Sequence, residues 1–149
     1  MKQKLLLAFF LGCSITSTVS AGTYEWTSDW AQGVSEYLVD DGNGNELNIS
    51  CSNEEGHPVT AFATIGGKQF SSDDEVGFDV IIDGVGYSNP FFTDCHACGN
   101  AFPAFWKALR NANHLQISDE HKTVNLSSKN LANVVLPLDS SENSCKSAW

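Results

Sequence analysis

The cysteines constrain what this chain can fold into more than any other feature, because each disulfide fixes two separate points of the backbone. Four of the five lie beyond the first 21 residues, at Cys51, Cys95, Cys98 and Cys145. In an oxidising compartment an even set predicts two disulfides, and three pairings of these four are possible. Any pairing that closes a long loop to Cys145 ties the C-terminal tail to the domain and contributes about 3–4 kcal/mol in the chain-entropy treatment.

The N-terminal segment predicts that the compartment is oxidising. Two early lysines precede the apolar run Leu5–Ile15, and the small residues Val19-Ser20-Ala21 follow. This order is typical of a cleaved signal peptide covering residues 1–21, and the run is shorter than the roughly 20 apolar residues of a membrane-spanning helix. An alternative is a lipoprotein signal acylated at Cys13. We expect an exported protein, periplasmic or secreted, with no membrane span.

The remaining residues, 22–149, have the length of one domain and are strongly acidic. They hold six basic and 18 acidic side chains, so the net charge is −12, against −10 for the whole chain. Such a charge is repelled by phosphate backbones and anionic lipid, which argues against nucleic-acid and membrane-surface ligands. It would attract a basic protein, and the exposed acidic triplet Asp73, Asp74 and Glu75 is a candidate anchor for one.

The N-terminal half reads as antiparallel strands joined by tight turns. Leu47, Ile49 and Cys51 alternate with polar residues, which points Cys51 inward, and the segment Asp40–Asn45 before them has the Asp-Gly and Asn-Gly pairs of a hairpin turn. Further strands are expected at 35–39, 59–65 and 76–83, and the glycines after Asp83 predict a loop that continues to Cys95.

The C-terminal half predicts one main amphipathic helix, two strands and a short final helix. The main helix is expected to begin at Asn100 or later, with Pro103 in its first turn and an apolar stripe that includes Phe105 and Leu109. Strands at 114–118 and 122–126 and a helix capped by Ser127 or Ser128 follow. The fold class is therefore α+β, mainly β, an antiparallel sheet or sandwich.

The Cys-x-x-Cys of Cys95 and Cys98 is the motif with most chemical potential. Thiol–disulfide oxidoreductases place such a pair at a helix N-terminus, which lowers the pKa of the first thiol. A helix starting at Asn100 would leave Cys95 too far away for this effect, so a structural staple is favoured over redox activity. Zinc is disfavoured because no second cysteine or histidine pair is available. No catalytic motif, metal site or cofactor site is expected, and Asp94 and His96 are candidate partner contacts.

Two resemblances to known families bear on function. The spacing Phe105-x3-Leu109-x5-Leu115, with Leu126-Ser127 before a short helix, resembles small bacterial envelope proteins of the invasion-associated locus B type over residues 76–145. That resemblance implies a periplasmic β-sandwich with no known catalytic residues. By general type alone the chain is also similar to exported immunity and lysozyme-inhibitor proteins, which are small, acidic and disulfide-bonded.

The leading hypothesis is an exported, non-catalytic protein-binding domain that neutralises a cell-wall-degrading toxin or hydrolase. Two alternatives stay open: a periplasmic thiol–disulfide oxidoreductase that uses Cys95 and Cys98, and a structural component of the envelope.

Overall fold

The structure, a computed structural model, describes residues 22–149. The predicted signal peptide and the alternative acylation site at Cys13 lie outside the described residues. The described part has two antiparallel sheets, one main helix and one short helix near the C-terminus, which confirms the predicted fold class. Within residues 22–149, no helix has the length and apolar character to cross a bilayer.

The first sheet is a five-stranded meander in which each strand pairs with the next. Its tight connections use residues that tolerate positive φ, among them Gly42, Gly44, Gly66 and Gly67. The alternation predicted around Cys51 is confirmed, because Leu47, Ile49 and Cys51 are fully buried while their neighbours are partly exposed. The strands are β1 (Thr27–Ala31), β2 (Val34–Asp40), β3 (Glu46–Ser52), β4 (Thr60–Ile65) and β5 (Lys68–Ser71).

The second sheet has four strands in the order β7-β6-β8-β9. It contains β6 (Asp79–Ile82), β7 (Val85–Ser88), β8 (Leu115–Ser118) and β9 (Thr123–Leu126). The strand expected at 76–83 is shorter because Gly77 adopts φ 63°, and β6 starts after it. The loop expected after Asp83 is wrong. Asp83 and Gly84 both have positive φ and form a tight turn, so Val85–Ser88 pairs back onto β6.

The main helix α1 (His96–Arg110) packs against both sheets and completes a single core. Trp106 makes an edge contact with Tyr37 of β2 at 6.3 Å between ring centroids. Phe105 lies 5.2 Å from Tyr87 of β7 by the same measure. Because Phe102, Phe105, Trp106 and Leu109 are all at most 1 % exposed, the predicted apolar stripe is confirmed.

The start of α1 corrects the sequence prediction. The helix begins at His96, four residues before Asn100, and Cys95 is its N-cap. Pro103 is therefore in the helix interior rather than in the first turn. The prediction failed because it looked for an oxygen-bearing cap, whereas a cysteine sulfur accepts the capping hydrogen bond here.

The final helix α2 (Leu131–Val134) is a single turn that the polypeptide enters through Asn130 at φ 66°. The predicted cap at Ser127 or Ser128 is wrong, since Asn130 holds the N-cap position. The segment before α2 is held by Trp26, whose indole N–H donates to the Ser127 carbonyl at 2.9 Å. Trp26 is fully buried, so it links the N-terminal end of the domain to the second sheet.

Candidate protein-binding cleft beside the C-terminal tail

The cysteines pair as Cys51–Cys145 and Cys95–Cys98, one of the three possible arrangements. Cys51–Cys145 joins β3 to the tail and spans 94 residues of sequence. Cys95–Cys98 spans only three residues of sequence and closes a loop within the first turn of α1. The two bonds therefore do different things: the first fastens distant parts of the chain, whereas the second adds almost no long-range constraint.

The tail that Cys145 anchors forms one wall of a cleft. Beyond the disulfide, the Lys146 carbonyl accepts a hydrogen bond from the Val59 N–H at 2.8 Å. The Ala148 N–H donates to the Thr93 hydroxyl at 2.9 Å. These two bonds hold the tail between the segment before β4 and the segment before α1. A cleft of about 700 Å³ lies there, lined by Gly56, His57, Pro58, Asp73, Phe92, Asp94, Lys146, Ser147 and Ala148.

Two of the five predicted partner contacts, Asp73 and Asp94, line this cleft although 21 residues separate them. Both are exposed, and neither carboxylate accepts a hydrogen bond or forms an ion pair within the described part of the chain. One lysine, Lys146, lines the same cleft, so its charge is mixed with an acidic excess. The carboxylates are free to accept hydrogen bonds from a cationic group of a partner.

The other three predicted contacts lie apart from the cleft wall. His96 stacks on Trp149 with ring centroids 4.3 Å apart. Trp149 follows Ala148, the last tail residue that lines the cleft. The Asp74 carboxylate accepts a hydrogen bond from the Ser71 N–H at 2.8 Å and so closes the turn after β5. Glu75 is exposed and does not line the cleft. Asp73 is therefore the member of the acidic triplet that the fold directs to this site.

Phe92 is a cleft residue that sequence reasoning missed. Its neighbour Phe91 is buried in the core at 1 % exposure, while Phe92 is 38 % exposed. The sequence holds two adjacent phenylalanines after Pro90, and the structure buries the first and exposes the second. An exposed aromatic ring beside two free carboxylates gives the cleft an apolar contact as well as charge.

Gly99 explains how the tail reaches the first turn of α1. A Cβ atom at this position would lie 2.7 Å from the Ser147 hydroxyl oxygen and 2.7 Å from the Trp149 Cβ. The absence of a side chain lets the tail lie directly on the helix, with Trp149 over His96. Trp149 itself is 60 % exposed, so its outer face continues the surface next to the cleft.

The Cys95 backbone and sulfur cap the first turn of α1. The Cys98 N–H donates to Cys95 Sγ at 3.1 Å, and the Gly99 N–H donates to the Cys95 carbonyl at 2.8 Å. Both cysteines of this pair are partly exposed, whereas Cys51 and Cys145 are 0 % and 3 % exposed. Because Cys95 is the N-cap of α1, the argument from sequence that it lies a turn away from the helix is wrong.

Carboxylates at other turns are occupied by internal hydrogen bonds, which separates them from Asp73 and Asp94. The Asp83 carboxylate accepts from the backbone N–H of His114 at 2.8 Å and of Asn113 at 3.1 Å. These bonds, the one from His114 first, hold the pKa of Asp83 below its ordinary value. Burial raises the pKa of Asp41, but hydrogen bonds from Asn45 and Asn43 outweigh it, so that the net shift is downward.

A metal site would need several ligand side chains close together in the described part of the chain. No group of three or more histidine, cysteine, aspartate or glutamate side chains is gathered closely enough there to hold an ion.

These observations define a class: a two-sheet domain with two disulfides, an acidic surface and a cleft bounded by its own C-terminal tail. The chain belongs to the YfjT family, whose sequence model matches residues 24–135. The matched region includes both sheets, both helices and the Cys95–Cys98 pair, and it ends before Cys145 and the tail. No curated protein and no solved structure matches the chain significantly.

Proposed function

We propose that this protein is an exported, non-catalytic binding protein that neutralises a basic cell-wall-degrading hydrolase or toxin in the periplasm or outside the cell. The observation that carries the proposal is the cleft of about 700 Å³ in which Asp73 and Asp94, whose carboxylates have no partner within residues 22–149, accompany an exposed Phe92. A partner loop with a lysine or arginine next to an apolar residue would fit this combination.

Export is part of the proposal and is supported by two features. The first is the signal-like segment of residues 1–21, and the second is a domain held by two disulfides. Disulfides of this kind persist in oxidising compartments. A hydrolase that degrades the cell wall acts in the same compartments, so inhibitor and target would meet there.

The charge of the domain supports a basic target. A net charge of −12 over residues 22–149 attracts a cationic partner at long range and raises the association rate. The free carboxylates of the cleft then supply short-range contacts. Because neither the Asp73 nor the Asp94 carboxylate accepts a hydrogen bond within residues 22–149, binding a cation there does not break an existing interaction of those carboxylates.

The test measures binding of residues 22–149 to a purified basic lysozyme and the rate of peptidoglycan hydrolysis by that enzyme. We expect a complex whose affinity falls as salt rises from about 20 to 150 mM, together with slower hydrolysis. The variant Asp73→Asn/Asp94→Asn should weaken binding about tenfold or more, which corresponds to about 1.4 kcal/mol.

The matched control removes two negative charges from the surface outside the cleft. Glu36→Gln/Glu120→Gln changes two exposed carboxylates outside the cleft, and it should leave affinity within about twofold. If both double variants weaken binding equally, the effect is general charge and the cleft is not the site. If lysozyme and other basic wall hydrolases are neither bound nor inhibited, while deletion of the gene weakens the envelope, the structural alternative is correct instead.

A further inference from the structure

The Cys95–Cys98 pair is placed and exposed in a way that a structural staple does not require. We propose that Cys95–Cys98 is a redox-active disulfide that accepts electrons from cysteine thiols of polypeptides, with Cys98 the sulfur that is attacked. The reaction consumes one disulfide per protein molecule and does not involve Asp73 or Lys146, although the cleft beside Cys98 shares Phe92 with the binding cleft. It rests on three observations: the helix that starts at His96, an apolar cleft that Cys98 lines, and the contrast with the buried Cys51–Cys145 bond.

The first observation concerns Cys95 as a leaving group. Its sulfur caps α1 and accepts the Cys98 N–H at 3.1 Å, and the first turn of the helix holds no acidic residue. An N–H donor and the positive end of the helix dipole favour a thiolate at this position. The Asp94 carboxylate acts in the opposite direction, but it is exposed to solvent, which screens it. A sulfur that is stable as a thiolate leaves a disulfide readily.

The second observation concerns access to Cys98. It lines a cleft of about 160 Å³ together with Pro90, Phe92, Ala101 and the aromatic residues of β7 and α1, and most of the exposed lining is apolar. An unfolded polypeptide offers apolar side chains next to its cysteines, and these would occupy such a cleft. Cys95 is not among the lining residues, so the cleft directs an incoming thiol to Cys98 rather than to Cys95.

The third observation is an internal comparison. Cys51 and Cys145 are 0 % and 3 % exposed and carry the long-range constraint of the fold. Cys95 and Cys98 are partly exposed, and their bond closes a loop of three residues. Opening the short bond therefore releases little of the unfolded-state constraint, and the domain can pass between oxidised and reduced forms without unfolding.

The reaction transfers two electrons and balances without a further reagent. A substrate thiolate attacks Cys98 Sγ, the bond between Cys98 and Cys95 breaks, and Cys95 Sγ leaves with the electron pair as a thiolate. A second substrate thiolate then attacks the substrate sulfur of the mixed disulfide and expels Cys98 Sγ. The substrate dithiol becomes a disulfide, Cys95 and Cys98 become thiols, and the two substrate protons end on them or in solvent.

The first experiment compares the two disulfides within one folded protein. Residues 22–149 are treated with dithiothreitol, free thiols are alkylated at intervals, and the alkylated cysteines are located by peptide mass mapping. We expect Cys95–Cys98 to be reduced at least 100-fold faster than Cys51–Cys145, with the circular dichroism of the fold retained. If the two bonds are reduced within threefold of one another, Cys95–Cys98 is a staple and the proposal is wrong.

The second experiment tests the cleft with a synthetic peptide that carries two cysteines flanked by leucine and phenylalanine. Oxidation of the peptide by the disulfide form is followed by chromatography, one peptide disulfide being expected per protein. Ala101→Glu puts a charge into the apolar cleft from an exposed helix position, and it should slow peptide oxidation at least tenfold while changing reduction by dithiothreitol less than twofold.

The matched control is Ala104→Glu, which adds the same charge to an exposed position of α1 outside the cleft. It should leave both rates within twofold of the unmodified protein. Equal effects of the two glutamates, or none from either, would refute the assignment of the cleft. The peptide assay contains no hydrolase and the hydrolase assay contains no free thiol, so that this activity and the proposed hydrolase binding fail or succeed independently.

Discussion

The Cys51–Cys145 bond should supply a large part of the stability of this domain. The chain-entropy treatment depends on the length of the loop that a disulfide closes. The separation of 94 residues gives about 4.7 kcal/mol at 25 °C, and the separation of three for Cys95–Cys98 gives about 1.6 kcal/mol. Both cysteines of the long bond are buried, so deleting their sulfur atoms adds a packing loss to this figure.

The perturbation is a pair of double variants, Cys51→Ala/Cys145→Ala and Cys95→Ala/Cys98→Ala, so that neither leaves a free thiol. Urea unfolding followed by circular dichroism gives the free energy of unfolding of each. The first variant should lose about 5 kcal/mol and about 15–20 °C in melting temperature. The second should lose about 1.6 kcal/mol, a difference of about 3 kcal/mol between them.

The urea slope provides an internal check on the cause. If the long bond acts by restricting the unfolded chain, removing it exposes more surface on unfolding, and the slope should rise. The short bond should leave the slope unchanged. Equal losses of stability in the two variants, or a loss from the long bond with no change in slope, would refute the entropic reasoning and place the effect in native packing.

Three further predictions concern single residues. Trp26→Phe should cost about 2–4 kcal/mol in urea unfolding, because it removes buried volume and leaves the Ser127 carbonyl without the indole N–H. Asp83 has a lowered pKa in the folded state, so its stabilisation is present above its unfolded pKa of about 4 and is lost as pH falls through the lower folded pKa. Asp83→Asn should therefore be less stable at pH 7 and should lose melting temperature less steeply below pH 4. An unchanged dependence of melting temperature on pH below 4 would contradict this. Gly99→Ala gains about 0.5–1 kcal/mol of helix propensity but displaces the tail, so it should stabilise the protein only when residues 147–149 are removed. Equal effects on the full-length and the truncated protein would show that the tail does not press on α1.

The sequence allowed the elements that alternate cleanly to be predicted. In β3 the buried residues recur at every second position, and in α1 Phe102, Phe105 and Leu109 follow helical spacing, so local pattern and burial agree. The failures come from contacts that local pattern does not encode. β7 is a short strand with exposed residues whose pairing depends on the positive φ of Asp83 and Gly84. The start of α1 depends on a sulfur cap that the usual oxygen-bearing signals do not include.

The sequence could suggest which residues are candidates for the site, but not which of them the fold brings together. The acidic triplet singled out Asp73 and the cysteine loop singled out Asp94, yet their presence in one cleft depends on long-range structure, including the tail that Cys145 anchors and that lines the same cleft. Cysteine pairing cannot be derived from four positions in a sequence, and the position of the tail follows from it. Phe92 was hidden for the same reason, because which of two adjacent phenylalanines faces the core is decided by long-range packing.

The nesting of one disulfide inside the other has a consequence for how the chain matures. Cys51 is synthesised first and its native partner Cys145 last of the four, with Cys95 and Cys98 appearing between them. A thiol at Cys51 that is oxidised early would therefore meet non-native partners before the correct one exists. Closing a loop of three residues is much faster than closing one of 94, so Cys95–Cys98 can pair first and withdraw both competitors. While that bond is closed, Cys95 and Cys98 hold no free thiols, and Cys145 is the remaining thiol partner for Cys51 among these four cysteines.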